Sequence, residues 1–92
     1  MEEGQRVALK AALAITKTVV IPEGAQGVVV ESWTEELWDT HGTGLTTVRS
    51  DSEDAEYFRT TDSTLIESAV KLRVQLDLGL LVTEYQVEFT EA

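Results

Sequence analysis

The stretch Val19-Val20-Ile21-Pro22-Glu23-Gly24-Ala25-Gln26-Gly27-Val28-Val29-Val30-Glu31 sets two β-branched runs around the only proline and two of the six glycines. Proline fixes φ near about −65° and has no N–H, so Pro22 suits the second position of a tight turn that Glu23 and Gly24 complete. Gly27 then marks a backbone position closed to a side chain, or one that another strand approaches closely. Three successive valines with no polar alternation predict that 28–30 leave the turn as a strand covered on both faces or bent between two sheets. A compact barrel satisfies these demands better than an open meander.

Two further segments join this one. The opening Gly4-Gln5-Arg6-Val7-Ala8-Leu9-Lys10, the reversal from Ile21 to Val29 and the closing Tyr85-Gln86-Val87-Glu88-Phe89 follow the patterns G-x-x-V-x-L, I-P-x-G-x-x-G-x-V and Y-x-V-x-F. This set resembles the small Src-homology-3-like barrels of the nitrile hydratase β-subunit type, and the barrel subunits that accompany photosystem I and ferredoxin:thioredoxin reductase. The resemblance implies a mainly β fold, a small Src-homology-3-like barrel with strands within 5–31 and 70–90. Residues 32–69 form an inserted loop and short-helix segment, and 1–92 make one domain. Such barrels host many unrelated roles, so the likeness carries none of the family's catalytic or metal sites onto this chain.

The remaining elements follow from local pattern. Residues 7–15 have helix-favouring alanines but alternate with period two, and are read as a strand. Ser32 followed by Glu35 is a capping-box spacing, and Trp33, Glu36, Leu37 and Trp38 would fill a short helix ending near His41-Gly42. Gly42-Thr43-Gly44 breaks the chain, and 45–49 forms a brief strand. Asp51-Ser52-Glu53-Asp54-Ala55-Glu56 reads as a solvated loop or first helical turn, stopped at Tyr57-Phe58. Turn chemistry at 60–63 precedes one helical turn over 65–69. Residues 70–76 alternate cleanly as a half-buried strand. Asp77-Leu78-Gly79 suits a three-residue hairpin loop with Gly79 in the left-handed region. Leu81, Thr83, Tyr85, Val87 and Phe89 would then share one face, and Lys71 and Arg73 would pair across the strands with Glu84, Gln86 and Glu88.

Charge bounds the function. Seventeen carboxylates against seven Lys and Arg give a net charge of −10, which repels a phosphate backbone or an anionic membrane and steers encounter with a basic protein partner. The same charge also serves solubility. Cysteine is absent, which removes disulfides, thiolate metal sites and cysteine nucleophiles. The acidic start and the lack of a spanning apolar run lead to an expectation of a cytoplasmic protein, or a virion component if phage-encoded. His41 is the only histidine and reads as a helix-terminal residue rather than a metal ligand. Asp51, Glu53 and Asp54 fail the calcium-loop pattern at Ala55 and Glu56. Paired carboxylates such as Glu35 and Glu36 lack the contrasting environments that acid–base catalysis needs. No enzyme, cofactor or metal is expected.

The aromatics carry the functional reading. Trp33, Trp38, Tyr57 and Phe58 are interleaved with Glu35, Glu36, Asp39, Glu53, Asp54 and Glu56, the make-up of an interface hot spot. Packing of the insertion onto the sheet explains the same aromatics and stays open. The leading expectation is a non-catalytic protein-interaction domain, an accessory subunit or assembly component such as a phage structural protein, with self-association covering open strand edges. The alternative is an acidic nucleic-acid mimic of the anti-restriction or anti-CRISPR type. A third, an enzyme subunit lending one wall to an active site, rests on the resemblance alone.

Overall fold

The computed structural model describes residues 1–42 and 44–92. Thr43, inside the glycine-flanked break read from the sequence, lies outside the described residues. The chain is mainly β. Its strands are β1 (Arg6–Leu9), β2 (Leu13–Ala14), β3 (Val20–Ile21), β4 (Gln26–Asp39), β5 (Leu45–Arg49), β6 (Thr64–Leu76), β7 (Leu81–Tyr85) and β8 (Phe89–Glu91). Among the described residues there is one α-helix, α1 (Glu53–Thr60), and a 3-10 turn over Gln86–Glu88. The sheet runs β7-β6-β4-β1-β8 with β5 also on β4, while β2 and β3 form a separate ribbon. This path is open, ending on β7 and β8. Two compact units divide the chain: Met1–Ser32 with Leu72–Ala92, and Trp33–Lys71.

In the first unit, β1 lies between β4 and β8, with Val7 opposite Gly27 and Leu9 opposite Phe89. Val7, Leu9, Ile21, Val29, Leu72, Val74, Leu76, Val82 and Phe89 are buried and form its core. The predicted reversal is present, but Pro22 stands one place earlier than expected. Ala25 N–H donates to Pro22 O (3.2 Å), so Glu23 and Gly24 are the central residues. Gly24 takes the positive φ of 83° that a side chain resists. Gly27 is where two backbones meet: a Cβ there would sit 2.5 Å from Gln75 O and 2.9 Å from Leu76 Cα. Asp77 N–H donates to Gln26 O beside it (2.9 Å). Arg6 reaches from β1 to the Asp77 carboxylate and to Gln26 Oε1. That hydrogen bond, and then the charge of Asp77, raise the pKa of Arg6 further.

The predicted strand over 7–15 splits, because Leu9 exchanges hydrogen bonds with Gly24 and Ala25 of the turn; the chain then bends, and 13–14 pairs with 20–21 instead. Val29 is buried but Val30 is 45% exposed, so the valine run is covered on one side only. The 77–79 loop forms as predicted, with Gly79 at φ 107° and Leu76 N–H donating to Leu80 O. Beyond it the predicted face is out of phase by one: Val82 is buried whereas Leu81, Tyr85 and Val87 are exposed. A one-residue shift exchanges the faces of a strand. The 3-10 turn then resets the phase and returns Phe89 to the core. Arg73 consequently pairs with Glu31 on β4 (3.1 Å) rather than with a carboxylate of the last strands.

In the second unit the helix predicted over 32–41 is absent. β4 continues as a strand to Asp39, with Glu35↔Arg49, Leu37↔Thr47 and Asp39↔Leu45 in antiparallel register with β5. Period-two burial explains the outcome, since Glu36 and Trp38 are buried while their neighbours are half-buried, and aromatic and β-branched residues favour a pleated surface. The helical turn predicted over 65–69 is likewise strand, part of β6. Lys71 meets Glu35 (3.4 Å). The acidic run instead opens α1: Ser52 is the N-cap, its Oγ accepting from Ala55 N–H (3.1 Å). The helix continues through Tyr57 and Phe58, the predicted stop, to Thr60.

Gly27→Ala is expected to lower stability by about 1–3 kcal/mol through overpacking against fixed backbone, whereas Val30→Ala on the exposed side should stay within about 0.5 kcal/mol. Urea midpoints at unchanged slope measure both.

Candidate protein-interaction surface

The candidate residues of the middle segment divide into an interior set and an exposed set. Trp38 is 5% exposed and Glu36 8%. A carboxylate so buried needs partners, and it has them: Trp38 Nε1–H donates to Glu36 Oε1 (3.1 Å), and Arg59 Nη2 of α1 donates to both Glu36 oxygens (3.0 and 2.8 Å). Arg59 also donates to Ser50 O (2.9 Å). Phe58, half-buried, lies 6.0 Å from the Trp38 ring, and Ala55 is wholly buried. One face of α1 is therefore fixed to the sheet by Ala55, Phe58 and Arg59. Trp38 and Glu36, expected as contact residues, belong to that packing, because the strand alternation turns them inward.

Trp33 and Glu35 occupy an intermediate position. Trp33 Nε1–H donates to Glu35 Oε1 (3.4 Å), and the Arg49 guanidinium stands 5.0 Å from the Trp33 ring centroid, a cation–π distance. Arg49 also pairs with Asp51 (3.3 Å). Asp39 Oδ1 accepts from His41 N–H (3.0 Å). His41 follows a strand, not a helix; it has φ 56°, and its Nε2 is 2.9 Å from Thr64 Oγ1. That corrects the helix-terminal reading.

The exposed set is compact in sequence. Glu53, Asp54 and Glu56 occupy the first turn of α1, where carboxylates are favoured by the helix dipole. Tyr57 follows at 65% exposure, its ring 6.0 Å from that of Phe58. Of the ten candidates, Glu53, Asp54, Glu56 and Tyr57 are the ones left free to touch a partner broadly. Sequence reasoning missed Leu65 and Ile66, 46% and 52% exposed on β6; their β-branched, Thr-led run was the available signal. Among the described residues no group of three His, Cys, Asp or Glu is placed to hold a metal ion. No described helix is long and apolar enough to cross a membrane. Comparison with known proteins finds no matching family model, no matching curated protein and no matching solved structure.

Trp38→Ala should cost about 3–5 kcal/mol of stability and Arg59→Ala about 1–3 kcal/mol by stranding the Glu36 carboxylate. Tyr57→Ala should change little, within about 0.5 kcal/mol. Denaturant titration of the three variants checks the division; equal losses at Trp38 and Tyr57 would contradict it.

Proposed function

We propose that the chain is a non-catalytic protein-interaction domain, an accessory subunit or assembly component that meets a partner with a basic surface through the exposed face of α1. The observation that carries this is Tyr57, 65% exposed among Glu53, Asp54 and Glu56 on a helix whose other face is anchored by the Arg59–Glu36 pair (2.8 Å). A rigidly mounted aromatic loses little entropy on binding, and so makes an efficient anchor. Residues 33–71 hold nine of the seventeen carboxylates and three of the seven Lys and Arg, which favours a basic partner by steering.

We further propose a Src-homology-3-like ancestry for the first unit. Its support is that β4, β1 and β8, which carry Gln26–Val29, Arg6–Leu9 and Phe89 of the three motif segments, are neighbours in the order β4-β1-β8. The nucleic-acid-mimic reading is weaker, because Glu31, Glu35, Glu36, Asp51 and Asp77 are each engaged by a cation of the same chain, and a mimic needs such groups free.

The test is binding of a partner recovered with the full chain, measured against salt and against two variants. Tyr57→Ala should cost about 2 kcal/mol of affinity, with E53K/D54K/E56K slowing association. Binding that ignores Tyr57, falls steeply with salt and is displaced by duplex DNA would replace this proposal with the mimic.

A further inference from the structure

Besides the outer sides of β5, β7 and β8, two strand edges are left without a neighbour among the described residues. β6 is thirteen residues long and β7 five. The hairpin bond from Leu76 N–H to Leu80 O (2.8 Å) ties β7 to the end of β6, so residues 64–70 have β4 on one side and no described strand on the other. Residues 64–68 are all exposed, so both faces of this strand are bare, with Leu65 and Ile66 among them. Natural edges are blunted by Lys, Pro or bulges. Between 64 and 70 there is no Pro, Gly or Lys, and a single charge, Glu67.

The second edge is on the β2–β3 ribbon, a sheet of two strands only. Ile15 N–H donates to Val19 O (2.9 Å), so by antiparallel alternation Ala14, opposite Val20, turns its N–H and C=O outward. On the β3 side the next outward position is Pro22, which has no donor; β2, followed outward by Ala12, is the better edge. Ile15, Val19 and Val20 are 47%, 44% and 57% exposed. Residues 5–22 contain Arg6, Lys10 and Lys17 and no carboxylate, in a chain that has seventeen.

We propose that the β2 edge of one copy adds as a strand to the 64–70 edge of β6 in a second copy. Charge selects this pairing over the two symmetric ones. β6 against β6 would bring Glu67, the one charge of 64–70, toward its own copy, and β2 against β2 would bring Lys10 and Lys17, which flank that strand, toward their copies. β2 against β6 joins a strand flanked by Lys10 and Lys17 to a segment whose one charge is Glu67, with main-chain hydrogen bonds and apolar side chains on both. Each copy then gives one edge and receives one, a head-to-tail contact that closes into a ring or continues as a filament. This inference uses a different surface and partner from the Tyr57 face, and Tyr57→Ala leaves it unchanged.

The test is sedimentation velocity on the full chain with two variants, A14P, which removes the outward donor of β2, and L65K/I66K, which charges both faces of β6. The wild-type chain should form species larger than a dimer that grow with concentration and shrink with salt. Each variant alone should run at the 10.1 kDa chain mass, and their equimolar mixture at twice that mass and no more, since each retains the edge the other lacks. A wild-type monomer at all concentrations, continued association of either variant alone, or a monomeric mixture of folded variants would overturn the proposal. Hydrogen exchange on the wild type needs no variant: amides of Ala12, Ala14 and the alternate residues of 64–70 that face away from β4 should become protected as concentration rises, and their constant exchange would overturn it equally.

Discussion

The first unit depends on one close approach, that of the Gly27 backbone to Gln75 and Leu76. Only a residue without a side chain lets β4 and β6 meet there. Gln26 O then accepts from Asp77 N–H and Arg6 reaches Asp77 and Gln26, so β1, β4 and β6 are joined within a few residues. The apolar core of the same unit, Val7, Leu9, Val29, Leu72, Val74 and Phe89, supplies the burial on which stability mainly rests.

The second unit solves a different problem. Its core holds a carboxylate, Glu36, which would be costly alone. Trp38 and Arg59 satisfy it from two elements, and the arrangement fixes where α1 lies on β4. Specificity of packing, more than net energy, is what such a pair supplies. The consequence for function is direct: the residues that anchor α1 are withdrawn from the surface, and what α1 presents outward is its acidic first turn and Tyr57.

The sequence was most legible where chemistry is local. The Gly24 turn, the Gly79 hairpin, the β5 strand and the alternation of 70–76 each follow from a few residues and a backbone constraint. It was least legible where two local rules competed. Ser32 and Glu35 spell a helix cap, yet the strand already running from Gln26 continues through them because β5 and β6 pair with it; a pairing partner distant in sequence outweighs a few tenths of local preference. The phase error after Leu80 has the same origin, since register is set by the hairpin and by Val74 and Val82 in the core, not by the run of alternating residues alone. For the candidate site, the acidic and aromatic residues were visible, but which of them face inward was not: Trp33, Trp38, Tyr57 and Phe58 differ little as letters and are separated only by their place on a strand or a helix.

The placement of α1 and of the exposed acidic face requires residues 32–39 to be extended and to turn Glu36 and Trp38 inward. A nuclear Overhauser map of the isotope-labelled chain measures it directly. Cross-strand contacts between Leu37 and Thr47 and between Glu35 and Arg49 are expected, together with a slowly exchanging Trp38 indole N–H. Contacts three residues apart along 32–38, with a freely exchanging indole, would show a surface helix there and contradict it.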